Sequence, residues 1–248
     1  MIVFDGVQHS YGDRTVLRGI DLELSERRVG LVGANGSGKS TLARMINGLV
    51  TATRGRVAVD GHDVAREGAQ VRRLVGFVFA DPEAQIVMPT VAEDVAFSLR
   101  RHKLPVAERD ARVRAALSRY GLQDHADHPA HLLSSGQKQL LALAAVLVTQ
   151  PAVLVADEPT TLLDRRNARA ITAELARLDQ QVVLVTHHLH LLADWDRVVV
   201  IDEGRVVADG QPGPTLRFYR DLMDGALDDA TGRHSDGSPR GPADGAGP

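Results

Sequence analysis

The apolar pattern of the chain predicts an α/β fold: a core built on a parallel sheet, an antiparallel β subdomain ahead of it, and an inserted helical subdomain. Three observations carry this. Val29 to Val32, Val75 to Phe79, Val153 to Ala156 and Val182 to Thr186 are short continuous apolar runs, as expected of parallel strands covered on both faces. Between such runs apolar residues recur at helical spacing, as in Val113, Leu117 and Tyr120, or Ile171, Leu175 and Leu178. Near the start, Ile2 to Asp5, Val16 to Leu24 and Arg56 to Asp60 are instead alternating or β-branched runs broken by Gly and Asp, the pattern of antiparallel strands.

Taken in order, the antiparallel strands come first, and the run ending at Val32 leads through a glycine-rich turn into a helix that begins at Thr41-Leu42-Ala43. From about Val91 to Val148 the chain holds helical patterns and no convincing strand, which marks the inserted subdomain. Its apolar stretch Leu140 to Val148 is the longest in the chain and falls well short of the roughly 20 residues that cross a bilayer, so it reads as a buried helix. The α/β alternation resumes at Val153, and residues 1–222 read as one domain. From about residue 223 to 248 Gly, Pro, Ser and Asp dominate, which predicts a disordered acidic tail.

Composition narrows the function. The 248 residues are 44% hydrophobic and 25% charged, a globular balance, and Lys+Arg 29 against Asp+Glu 32 leaves −3. The five Asp and two Arg from Asp224 onward account for that whole imbalance, so the folded part has no basic field with which to hold nucleic acid. The absence of cysteine removes disulfides, zinc ribbons, iron–sulfur ligation and thiol catalysis, and fits a reducing compartment. The start, Met1 to Asp5, lacks the basic and apolar regions of a secretory signal. A membrane role would depend on other subunits.

The segment Gly33-Ala34-Asn35-Gly36-Ser37-Gly38-Lys39-Ser40-Thr41 contains G-x-x-x-x-G-K-[ST], between a strand and a helix, where the pattern has mechanical meaning. Its glycines let successive N–H groups face one anion, and the helix start adds its positive end. Lys39 is suited to neutralising β and γ phosphates, and the Ser40 hydroxyl to binding Mg²⁺. A glycine-rich turn with a solvated lysine is the plain alternative, and the flanking elements argue against it. Further on, Val153-Leu154-Val155-Ala156-Asp157-Glu158 is an apolar strand ending in two carboxylates. Asp157 is expected beside Mg²⁺, and Glu158 beside the attacking water. Without the phosphate loop, the same acidic pair before Pro159 would read as a helix cap.

Leu133-Ser134-Ser135-Gly136-Gln137, upstream of the acidic strand, resembles the signature motif of the ATP-binding cassette (ABC) proteins. The resemblance extends through Asp164, similar to that family's D-loop residue, to His187, similar to its switch histidine, and back to Tyr11, similar to the aromatic that stacks on adenine. It spans about Ile2 to Leu222 and implies an ATPase that uses ATP and Mg²⁺. It further implies a head-to-tail pair of ATPase subunits, of one kind or two, in which Ser134 and the Gly136 backbone bind the γ-phosphate of the opposite site. His187 would sense that phosphate; a surface or metal-binding role for His187, His188 and His190 is the alternative. Tyr11 could equally be a core or turn aromatic.

The stretch Asp81 to Phe97 resembles the energy-coupling-factor (ECF) branch of the family, which imports vitamins and transition-metal ions. Ile86-Val87-Met88-Pro89 and Thr160 to Asn167 most resemble biotin-transporter ATPases. The implied partners are an integral-membrane coupling subunit and a substrate-binding membrane subunit, with the ATPase peripheral at the cytoplasmic face. A soluble ATPase acting on DNA or ribosomes would call for a basic surface, zinc cysteines or two cassettes, none of which the sequence holds. A weakly active regulatory module is the other alternative. It is motivated by Ala80, which stands where the family carries a glutamine that touches Mg²⁺ and water. Gln85, five residues on, could serve only by reaching inward. Ser135 replaces one of the two usual glycines of the signature.

Overall fold

The computed structural model describes the backbone of residues 1–231 and the side chains of residues 1–225. Ile2 and Phe4 point inward on β1 (Ile2–Tyr11), and past a register shift at Asp5 and Gly6 the buried positions become Val7 and His9. The bulge changes the phase of the alternation, which is why no single period runs through the strand. This strand lies between β2 (Arg14–Leu24) and, beyond β3 (Arg28–Val32), β4 (Arg54–Val59), in an antiparallel sheet of order β2-β1-β4 that ends on the short β5 (His62–Asp63).

Helices α1 (Lys39–Ile46) and α2 (Gly68–Leu74) precede β6 (Val75–Val78), and α3 (Val91–Ser98), α4 (Val106–Arg119) and α5 (Ser135–Leu147) follow it. Strand pairing between β6 and the next strand is limited, among the described residues, to one bridge from Thr90 to Pro129. The chain then forms β7 (Val153–Asp157), α6 (Arg165–Arg177), β8 (Gln181–Val185), β9 (Arg197–Asp202), β10 (Arg205–Gly210) and α7 (Pro212–Thr231). The second sheet has the order β10-β9-β3-β8-β7-β6, parallel except at β10. The four continuous apolar runs of the sequence form β3, β6, β7 and β8; β9 is a further strand of the same kind, and β10 pairs with it as a hairpin.

Continuous apolar runs are needed because this sheet feeds two cores. Leu154, Val182, Leu184, Val198 and Val200 face α3, α4, α5 and α7, whereas Val153, Val155, Val183, Val185 and Val199 face α1 and the antiparallel sheet. Burying one such side chain stabilises by roughly 1.5–3 kcal/mol, so a polar residue anywhere along these runs would be costly. Helix α5 is buried through Leu141, Ala142, Leu143 and Ala144, in keeping with its apolar sequence.

One boundary differs from expectation. The composition changes near residue 223, but α7 runs to Thr231, with Leu216, Tyr219 and Met223 placing its first turns against the core. Residues 232–248, the remainder of the expected tail, lie outside the described residues. Among the described residues no helix is long and apolar enough to cross a membrane.

Candidate nucleotide site

The fully buried β3 delivers the chain into the loop Gly33 to Ser40, and α1 starts at Lys39. Gly38 caps that helix at φ 107°, and a Cβ there would lie 2.8 Å from Leu17 Cδ2, so the turn tolerates no side chain. Contact with Val16 and Leu17 sets β2 against the loop. The tip of the β1–β2 hairpin follows: Tyr11 pairs with Arg14, whose guanidinium lies 3.8 Å from where a Gly36 Cβ would stand. Tyr11 is half-exposed, with its ring edge-to-face on His9 at 4.5 Å.

Lys39 Nζ donates to the carbonyls of Gly33 and Ala34, both at 2.8 Å, which holds the ammonium inside the turn. Burial lowers its pKa, while the Glu158 and Asp157 carboxylates oppose the shift. The Ser40 hydroxyl donates to Asp157 Oδ1 at 2.8 Å, joining the loop to the end of β7. Arg44, one turn further along α1, lies 3.4 Å from Asp157 Oδ2. Asp157 is almost fully buried, and burial raises its pKa against the Ser40 and Arg44 contacts; neighbouring Glu158 adds to the rise. Ser37 Oγ is buried without a partner among the described residues. An unpaired hydroxyl, a confined ammonium and a Ser–Asp oxygen pair match the needs of a polyphosphate and a hard cation such as Mg²⁺.

Glu158 leaves β7 with a left-handed backbone, φ 52°, and its N–H donates to Val185 O at 3.0 Å. Such a conformation costs a non-glycine residue of order 1–3 kcal/mol and persists only where the surroundings impose it. Its Oε2 lies 2.9 Å from His187 Nδ1 and accepts from Thr161 Oγ1 at 3.3 Å. The carboxylate and the imidazole that follows β8 are therefore joined at the edge of the phosphate loop. His188 stacks on His187 with ring centroids 4.0 Å apart, and burial, His187 and His190 lower its pKa against the pull of Glu158.

Ser134, Gly136 and Asp164 form a second group. Ser134 caps α5, its Oγ accepting from Gln137 N at 3.3 Å while Gln137 Oε1 accepts from Ser134 N at 2.9 Å. Asp164 caps α6 by accepting from Asn167 N at 2.8 Å, and its other oxygen accepts from Asn167 Nδ2 at 3.0 Å. Asn167 in turn packs so closely on Gly136 that a Cβ there would meet Nδ2 at 3.0 Å. No hydrogen bond among the described residues joins this group to the phosphate loop.

At the glutamine position, Ala80 offers only a methyl group, and Gln85 does not reach inward. Its Oε1 accepts from Phe79 N at 3.2 Å and its Nε2 donates to Ala142 O at 3.3 Å, so both ends are bound to backbone. Gln139 adds a contact from α5 to Phe79 O at 3.4 Å. Sequence reasoning missed Arg44, Thr161 and Asn167. Two could have been found, because Arg44 follows Ser40 by one helical turn and Asn167 stands three residues after a capping Asp.

The family model described as ABC transporter matches residues 17–161. The chain is 42% identical over 221 residues to the biotin transport ATP-binding protein BioM of Rhizobium etli, covering 89% of this chain and 98% of that protein. It is 43% identical over 227 residues to the energy-coupling factor transporter ATP-binding protein EcfA1 of Symbiobacterium thermophilum, covering 85% of this chain and 79% of that protein. The solved structure of CbiO1 from Clostridium perfringens, described as part of an ABC transporter complex, superposes with a TM-score of 0.78 at 33% identity, covering 91% of this chain and 94% of that one.

Proposed function

Because the chain belongs to the ABC transporter family, we propose that it is the ATP-hydrolysing subunit of an energy-coupling-factor importer, peripheral at the cytoplasmic face of a membrane. The observation that carries the reading is the convergence at the end of β7, where Ser40 meets Asp157 and His187 meets Glu158 beside one phosphate loop. In this reading the loop N–H groups and Lys39 bind the β and γ phosphates, and Tyr11 stacks on the adenine. Glu158 accepts a proton from the attacking water, and the Nδ1 of His187 fixes that carboxylate beside the γ-phosphate. Ser40, and Asp157 through water, would hold Mg²⁺, which would neutralise charge on the phosphates. Ser134, the Gly136 N–H and Asp164 serve the site of a second ATPase subunit.

The cargo we assign is a vitamin, biotin first, on the similarity to BioM and on Ile86 to Pro89. The partners are an integral coupling subunit and a solute-binding membrane subunit. Co-expression with an integral coupling subunit and a solute-binding membrane subunit, followed by uptake of labelled biotin, tests the proposal. Uptake that stops when Glu158 is replaced by Gln is the expected result. Uptake of another solute would keep the ATPase and replace the cargo, whereas failure to co-purify with any membrane subunit would overturn the importer.

A further inference from the structure

Outside the atoms that would touch nucleotide, one chain of polar contacts has its polarity settled by the backbone. Ser134 N–H can only donate, so the Gln137 oxygen faces it, at 2.9 Å. The amide nitrogen of Gln137 is then at the far side, 3.0 Å from His125 Nε2. An NH₂ group only donates, so His125 Nε2 is the acceptor and carries no proton. The ring proton of neutral His125 therefore sits on Nδ1, which lies 2.9 Å from His128 Nδ1 and donates to it. The same turn is tied to α3, where Val91 N donates to His128 O and Ala92 N to Ala126 O. His125 and Gln137 are both partly buried, which limits competition from water.

We propose that His125 is a positioning residue for the turn Leu133 to Gln137, acting as a neutral Nδ1–H imidazole that holds the Gln137 amide in the orientation that completes the cap of α5. The cap matters because Ser134 Oγ is engaged as an acceptor from Gln137 N at 3.3 Å. Its own O–H is thereby left to donate outward. If the amide turned over, its NH₂ would oppose the Ser134 N–H, and the hydroxyl and the Gly136 N–H would lose their common frame. The consequence for ATP rests on reading Ser134 and Gly136 as ligands of the opposite γ-phosphate; the tautomer itself does not.

Long-range ¹H–¹⁵N correlation on the full-length chain, with the His125 signals assigned by their loss in His125→Gln, reads the ring directly. A proton on Nδ1 and a bare Nε2 are expected, and a proton on Nε2 would overturn the proposal. The functional arm follows ATP-driven dimerisation by light scattering in a Glu158→Gln background. There His125→Leu should raise the ATP midpoint about five-fold, the scale of one hydrogen bond. His125→Gln, which returns a carbonyl oxygen to the acceptor position, should stay within about two-fold of the parent. Equal shifts for Leu and Gln would mean lost packing and sink the positioning role, as would no shift in either. If the Glu158→Gln chain never dimerises, the pairing of two like subunits fails while the ATPase reading stands, and the tautomer alone then decides whether His125 holds Gln137.

Discussion

Glu158 joins a left-handed backbone to a side chain held by His187 and Thr161, so its position is over-determined in the way a reacting group requires. Replacing it by Gln keeps the shape and removes the proton acceptor. Steady-state ATP hydrolysis should fall by about 100-fold or more while ATP still binds, as measured by phosphate release and by nucleotide titration. Hydrolysis at the parent rate would show that Glu158 is not the base. Asp157 tests the opposite property, since burial raises its pKa and its ionised form is a cost to the free protein. At acidity below the ordinary carboxylate pKa both folded and unfolded chains hold the proton and no penalty exists. The penalty grows as pH rises through the ordinary value and is complete above the raised one. Asp157→Asn should therefore raise Tm at neutral pH, by about 2–4 °C for each kcal/mol relieved, with the advantage shrinking as pH falls toward the carboxylate range. The same variant should lose Mg²⁺-dependent hydrolysis. An unchanged or lowered Tm at pH 7 would contradict the sign of the shift.

At the scale of elements, the segment after β6 is bound to α5 rather than to the nucleotide site. Gln85 spans Phe79 and Ala142, Gln139 reaches Phe79 O, and Lys138 pairs with Glu83. The segment and the helix that begins with Ser135 are thus tied at three places. Removing Gln85 strands a backbone donor and an acceptor, a loss of about 1–3 kcal/mol. Gln85→Ala should lower Tm and leave ATP affinity near the parent value, measured by calorimetry and nucleotide titration. Ala80→Gln places an amide where the family resemblance calls for one, without removing that staple, and should raise ATP turnover in the assembled transporter. No gain from Ala80→Gln together with lost nucleotide affinity in Gln85→Ala would return the role to Gln85.

For the whole molecule, the Ser134–Gly136–Asp164 group is built as firmly as the phosphate loop but makes no hydrogen bond to it among the described residues. Two chains arranged head to tail would bring each group to the other's loop. ATP and Mg²⁺ should then convert Glu158→Gln from monomer to dimer, and adding Ser134→Arg should block the change while leaving the circular dichroism of the monomer intact. Light scattering measures this. Persistent monomer at high concentration would require a different chain as the partner subunit.

Much of this protein is determined by sequence alone, because the carriers are local. A phosphate loop needs its glycines, Lys39 and Ser40 in one continuous turn, and a strand buried on both faces must be apolar throughout, so both are legible from residue order. The signature and the acidic strand end are likewise contiguous. The tertiary structure decided what depends on residues far apart in sequence. It joined His187 to Glu158, directed Gln85 to Ala142 instead of inward, and set Asn167 against Gly136. It also carried α7 past the change of composition to Thr231. Side-chain direction is a property of packing between elements, and no window along the chain contains both partners.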